Sequence, residues 1–205
     1  VAPDDLAGLR RDVADCSRIV TAAALSGDID TALRGLEQHR LLCAHRTGPA
    51  GVTDWDRTVR DWLGEPAARG FRAGQPLLVT ANDHEAKVYN GDTGVVVRQL
   101  DGSLVAAFAR VGAPVLRHPA SLAAVQTVYA MTIHRSQGSQ YHTVSVLLPP
   151  EESVLLTREL LYTAVTRAQQ QVRLIGTEAS VRAGVKRQVL RASGLRRVLQ
   201  PQSGR

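Results

Sequence analysis

Residues 129–150 read YAMTIHRSQGSQYHTVSVLLPP. A short alternating run enters a loop with one glycine and leaves it through an apolar run. Thr132 and His134 are two residues apart, so on a strand they project from the same side. They lie at the strand's end, where open α/β sheets bind ligands. Gly138 lets the backbone turn tightly or approach a phosphate. Ser136, Gln137, Ser139 and Gln140 are neutral hydrogen-bonding groups. With Arg135 they form a loop that can donate to an anion without repelling it. On pattern alone an ordinary polar turn fits as well as a ligand loop.

A second stretch, residues 160–176, reads LLYTAVTRAQQQVRLIG. Its first part has a helical pattern, with Leu161, Ala164, Val165 and Ala168 as the apolar face and Tyr162, Thr163 and Thr166 as hydroxyls beside it. Arg167 falls near the helix end. There it is either a C-terminal charge favoured by the helix dipole or a group that reaches across a cleft to a transferring phosphoryl.

The chain has 205 residues, 44% of them hydrophobic, which is enough for one large domain or two small ones with a real core. Aromatics are only 4%, so that core must be mostly Val, Leu, Ala and Ile. No apolar run approaches the ~20 residues that span a membrane, and the opening VAPDDLAGLRRD does not have the order expected of a signal peptide. Cys16 and Cys43 lack metal-ligand spacing and read as buried reduced thiols of a cytoplasmic protein, a disulfide being the lesser alternative. The first residue is Val rather than Met, so a piece of a longer chain is expected.

Net charge is +6, and every basic residue except Lys87 and Lys186 is arginine. Distribution says more than the total. From Gly102 to Pro150 there is no Asp or Glu, and none follows Glu178, while Arg182, Lys186, Arg187, Arg191, Arg196, Arg197 and Arg205 are basic. Such one-signed segments are the footprint of a polyanion partner. For the tail alone, a solvated basic segment is the alternative.

Periodicity predicts a helix over 4–25, with Asp4 and Asp5 favouring its start and Gly27 capping its end, then a short helix over 28–37. RLLCAH is a short apolar strand before the turn signal RTGPAG. TDWDRTVRDWL is a helix capped by Thr53 or Asp54, with Trp55, Val59, Trp62 and Leu63 inward. From about residue 70 to 126 short alternating strands follow, with breaks at Asn90-Gly91 and Asp101-Gly102, as in a small β-barrel. TVYAMTIHR and TVSVLLPP then read as buried strands. TRELLYTAVTRAQ reads as a helix capped by Thr157, QQVRLIGT as a strand, and 178–192 as a basic helix. The order α/β, all-β, α/β predicts a parallel-sheet domain over 1–69 and 127–205, with a small β-barrel inserted at 70–126.

TIHRSQGSQYHTVSVLLP, followed at this distance by LLYTAVTRA, resembles motifs V and VI of the superfamily 1 helicases. RLLCAHRTGPAGV with the helix after it is similar to the upstream segment of one branch, which also carries a small barrel before motif V. The resemblance covers nearly the whole chain. It implies that the parallel-sheet parts, 1–69 and 127–205, are the second RecA-like motor domain, and 70–126 an inserted SH3-like β-barrel, of an ATP-dependent DNA helicase of 5′→3′ polarity inside a helicase–nuclease complex of DNA repair. Arg167 would be the arginine finger on the ATP γ-phosphate. Gly138 and Gln140 would lie at the nucleotide. Thr132, His134, Arg135 and Ser136 would contact single-stranded DNA, with Arg46 and Thr47 as further backbone contacts. Two positions depart from the family. Gln140 stands where a glutamate usually meets the ribose, and Gln169, Gln170 and Gln171 stand where basic residues usually follow.

No G-x-x-x-x-G-K-[ST] occurs. ATP and Mg²⁺ would therefore be shared with an N-terminal P-loop domain outside this chain, and the isolated chain is expected not to hydrolyse ATP. No residue is assigned as a metal ligand, no nuclease cluster is found, and no membrane partner is expected. The alternatives are a stand-alone or relaxase-linked helicase of the same branch, and a non-catalytic DNA-binding or subunit-docking module.

Overall fold

The computed structural model describes residues 2, 6–65 and 70–189. Asp4, Asp5 and the basic tail from 190 onward lie outside them. Along the described residues the elements run α1 (Ala7–Ser26), α2 (Ile29–Leu36), β1 (His39–Cys43), α3 (Val52–Trp62), β2 (Pro76–Val79), β3 (Thr93–Arg98), β4 (Leu104–Phe108), β5 (Val115–Arg117), β6 (Val125–Thr127), β7 (Ala130–Thr132), β8 (Tyr141–Leu147), α4 (Arg158–Val165), β9 (Ala168–Ile175) and α5 (Glu178–Lys186).

The chain is α/β. A parallel sheet of order β7-β1-β8-β9 carries helices on both faces, the layering of a RecA-like domain. The two-residue period of the strands sorts the core. Leu41, Cys43, Leu147 and Ile175 pack under Leu9 and Val13 of α1 and Val59 of α3. Leu42, Val144 and Val146 face the other way, onto Leu160, Leu161 and Ala164 of α4. Cys43 sits opposite both Thr132 and Leu147, and Leu147 opposite Ile175, so the four strands end in one row. Both cysteines are free.

The second sheet is antiparallel, of order β5-β4-β3-β2-β6. It occupies the place expected for a barrel, but among the described residues its edge strands β5 and β6 do not pair with each other. One face buries Leu77, Val79, Val96, Ala106 and Phe108. The other, Val95, Val97 and Ala107, is covered by Val20, Ala23, Ala24, Ala32 and Leu36 of α1 and α2. A 20-residue helix is ~30 Å long, and α1 uses that length. Its first half packs on the parallel sheet and its second half on the antiparallel one.

Several local expectations are corrected. Helix α3 starts at Val52 with Gly51 at its N-cap and no side-chain cap, because the His45 and Arg46 carbonyls take the Val52 and Thr53 amides. Asn90-Gly91 is not a two-residue hairpin. It ends a long connection, residues 80–92, closed by the Asp83–Val88 bridge. Asp101-Gly102 does join neighbouring antiparallel strands, β3 and β4, with Gly102 at φ 85°. Val165 is exposed rather than part of the α4 core face, and Ala168 belongs to β9.

Where α1 crosses the sheet, Arg173 pairs with Asp12 and donates to Ser145, whose hydroxyl also meets His39 Nε2 at 2.9 Å. Burial, with Arg40 and Arg173 nearby and against the pull of Asp12, lowers the His39 pKa to about 4. The unfolded chain therefore binds the proton between about pH 4 and the ordinary 6.5. Stability is fully present above that window and is lost as pH falls through it, by up to ~3 kcal/mol. Denaturant titrations at pH 7 and 4.5 should show this loss, and His39→Gln should shrink it while keeping a group for Ser145.

Candidate nucleotide and nucleic-acid interface

Strands β7 and β8 lie on either side of β1 and run parallel to it, so the chain leaving β7 must cross the sheet before β8 can begin. Parallel crossovers usually take a dozen or more residues and a helix. Here residues 133–140 make the crossing alone. Ile133–Ser136 is a 3-10 turn whose first amide bond is capped by Thr132, with Arg135 N donating to the Thr132 hydroxyl at 3.3 Å. Ile133 and Ser136 are fully buried, and Ser136 Oγ donates to the Ile133 carbonyl at 2.7 Å. Gln137 (φ −60°, ψ 132°) and Gly138 (φ 90°) then form a type II turn closed by Ser139 N on the Ser136 carbonyl. Glycine is needed at that second position because its φ is positive.

One end of this crossing lies at the row of strand C-termini. Thr132, His134 and Arg135 line a cleft of about 630 Å³ with Arg46 from the β1–α3 segment, Thr53 from the first turn of α3, Thr80 just after β2 and Gln126 of β6. Thr132 and His134 do not share a strand face as expected, because β7 ends at Thr132 and His134 lies in the 3-10 turn. They reach the same cleft nonetheless. Its lining carries two arginines and a histidine and no acid. Ser136 points into the core, and Thr47 is exposed beside the cleft without lining it.

The Arg46 segment is held by its glycines. Gly48 has φ 89°, and Gly51 donates to its carbonyl at 2.7 Å. A Cβ on Gly51 would lie 2.4 Å from the Thr47 carbonyl carbon and oxygen. Gly51→Ala must therefore displace backbone. The expected cost is ~1–3 kcal/mol, read as a Tm lowered by roughly 5 °C, with the cleft around Arg46 distorted.

The other end of the crossing lies at the strand N-termini. Gln140 precedes β8, Arg167 precedes β9, and Tyr141 is in register with Ala168, so Gln140 and Arg167 are neighbours on one edge. Gln140 and Gly138 are exposed. Helix α4 ends at Val165, and Arg167 folds back over its last turn. Its Nε donates to the Thr163 carbonyl at 3.2 Å, Nη1 to the Ser139 carbonyl at 3.1 Å, and Nη2 to the Thr166 hydroxyl at 3.2 Å. All three partners are neutral, so none of them offsets its charge. Seven residues of β8 separate the two ends, ~20 Å.

The structure thus brings Arg46, Thr132, His134 and Arg135 together in one cleft, and Gly138, Gln140 and Arg167 at the opposite edge. Sequence reasoning missed Thr53, Thr80 and Gln126. Nothing in their local pattern marks them, since they meet the cleft only through the docking of the two sheets. Among the described residues no three His, Cys, Asp or Glu gather as metal ligands.

Residues 127–175, which include the crossing and Arg167, match the model of the UvrD-like helicase C-terminal domain. The whole chain goes further. It is 51% identical over 205 residues to the RecBCD enzyme subunit RecD of Mycolicibacterium smegmatis, covering 98% of this chain and 36% of that protein. It is 33% identical over 156 residues to the ATP-dependent RecD2 DNA helicase of Deinococcus radiodurans, covering 73% and 21%. Among solved structures it is similar to the Pif1 helicase from Candida albicans, with a TM-score of 0.47, 12% identity and coverage of 87% of this chain and 55% of that one. The chain belongs to the RecD family, matching the C-terminal part of its members and spanning about a third of the length of the RecD subunit it matches.

Proposed function

We propose that the chain is the second motor domain of an ATP-dependent, 5′→3′ DNA helicase subunit working in a helicase–nuclease complex of DNA repair. The observation that carries the reading is the 133–140 crossing, which joins an acid-free cleft at one sheet edge to an unpaired arginine at the other. The parallel-sheet parts, 1–69 and 127–205, form the motor. The antiparallel part, 70–126, is its insert and lends Thr80 and Gln126 to the cleft.

A nucleoside triphosphate suits the Arg167 edge because Arg167 has only neutral partners there. Arg167 would hold the γ-phosphate and stabilise charge as the phosphoryl group departs. Gly138 gives the triphosphate an open approach, with nothing within 4 Å of its Cβ position. Gln140 would accept from the ribose without charge. The Mg²⁺ ligands and the P-loop belong to a domain outside this chain, so the chain alone would not turn over ATP. Single-stranded DNA would lie across Arg46, Thr132, His134 and Arg135, held by its phosphates and read without sequence preference.

Coupling follows from the crossing's shortness. A shift of Ser139 when Arg167 engages phosphate passes through the type II turn to the buried Ser136 and Ile133, and so to His134. The test uses the chain joined to its P-loop domain. A non-hydrolysable ATP analogue should change the affinity for an oligo-dT strand. Gly138→Ala, strained by ~1–2 kcal/mol at φ 90°, should reduce that change at least several-fold. An unaltered nucleotide effect in a folded variant would remove the crossing from the mechanism.

A further inference from the structure

A second groove opens on the same row of strand C-termini, past the ends of β8 and β9, with a volume of about 620 Å³. Its walls are apolar: Pro49, Trp55, Leu148, Pro149 and Ile175 among others. Trp55 has its indole N–H committed to the Pro49 carbonyl at 2.9 Å and its ring edge-to-face on Trp62, so what it offers the groove is a fixed apolar surface. The helix α5 that begins at the rim is already capped, its Ser180 amide donating to the Thr177 hydroxyl at 3.0 Å. At the mouth stand Glu151 and Glu152, both exposed and neither in an ion pair among the described residues. They are the first acids after Asp101. Arg187 binds the backbone carbonyls of Glu151 and Ser153 rather than either carboxylate, which fixes the rim.

These features exclude DNA phosphate by charge and leave it no free helix-end amide at Ser180 to bind. We infer that the groove is a docking site for a segment of another polypeptide, an apolar stretch with adjacent Lys or Arg that meets Glu151 and Glu152. A pre-set groove with a rigid aromatic wall is the geometry in which a few apolar anchors carry binding. Charge complementarity selects the occupant, since a basic flank is what two unpaired carboxylates at the mouth attract. The choice of another subunit as the source rests on the reading of a multi-subunit helicase.

The experiment places the photo-crosslinker p-benzoylphenylalanine at Ala179, which is exposed and lines the groove, in the full-length protein purified with its partner subunits. Irradiation should yield a crosslink to a partner subunit, mapped by mass spectrometry to an apolar segment with neighbouring basic residues. The surface double variant E151K/E152K should lower the yield at least five-fold and leave DNA-stimulated ATP turnover unchanged. A crosslink to this protein's own chain or to DNA, no crosslink, or a yield indifferent to the charge reversal would each overturn the docking site. Loss of the motor reading shows separately, as turnover that ignores Arg167 in the same preparation.

Discussion

Arg167→Ala, made in the chain joined to its P-loop domain, is expected to lower DNA-stimulated ATP turnover ~10³-fold. Binding of single-stranded DNA should persist, because Arg167 sits at the opposite edge of the sheet from the cleft. The guanidinium donates to the Thr163 and Ser139 carbonyls and the Thr166 hydroxyl, so the variant also loses three hydrogen bonds from a charged donor to neutral acceptors. A hydrogen bond to a charged group is worth ~1.5–3 kcal/mol when buried and less at this half-buried site, so a drop in Tm should accompany the change. Arg167→Lys separates the two effects. A lysine keeps the charge but presents a point donor in place of a planar fork. It should recover little of the turnover while leaving the Tm close to that of the parent. Turnover within a few-fold of the parent in a folded Arg167→Ala protein would show that the residue only closes the end of α4.

How much of this was legible beforehand differs between the fold and the site. The α/β class was readable because buried parallel strands write themselves as near-continuous apolar runs, as Leu41–Cys43 does and as Val144–Leu147 does with Ser145 as its one break. Thr157 was readable as a cap because its hydroxyl acts locally, on Leu160 N at 3.2 Å. The N-cap at Gly51 was not, since the groups that satisfy α3 are carbonyls of the preceding segment, which no side-chain pattern encodes. Nor was the double duty of α1. Its apolar positions look alike along its length, yet Leu9 and Val13 meet one sheet while Val20 and Ala24 meet the other. His134 shows the limit most plainly. Alternation placed it on a strand with Thr132, but the Thr132 hydroxyl captures the Arg135 amide and turns the chain into a 3-10 coil one residue earlier. Local hydrogen bonding to a Thr side chain competes with the sheet, and here it wins.

Arg46→Ala combined with Arg135→Ala should weaken oligo-dT binding strongly and flatten its dependence on salt. Both arginines line the acid-free cleft, one from the β1–α3 segment and one from the crossing. Among the described residues Arg46 forms no ion pair, and the Arg135 guanidinium has only the side-chain amide oxygen Oδ1 of Asn90, at 3.3 Å. Each is therefore available to a phosphate at small cost. Every phosphate contact on a single strand contributes ~0.7 to the slope of log K against log salt. Losing two should lower that slope by ~1.4, with affinity at moderate salt falling ~10-fold or more. The slope is the sharper reading. A loss of affinity from misfolding would remove binding at every salt concentration, whereas a loss of two phosphate contacts leaves a shallower line that meets the parent's at high salt. Exposed arginines outside the cleft, such as Arg98 and Arg182, supply the control. Replacing them should leave the slope where it was, because net charge alone acts through a screened field that falls off over ~8–10 Å. If the control pair flattens the line as much as the cleft pair does, DNA is held by the chain's overall basicity, and the cleft loses its role.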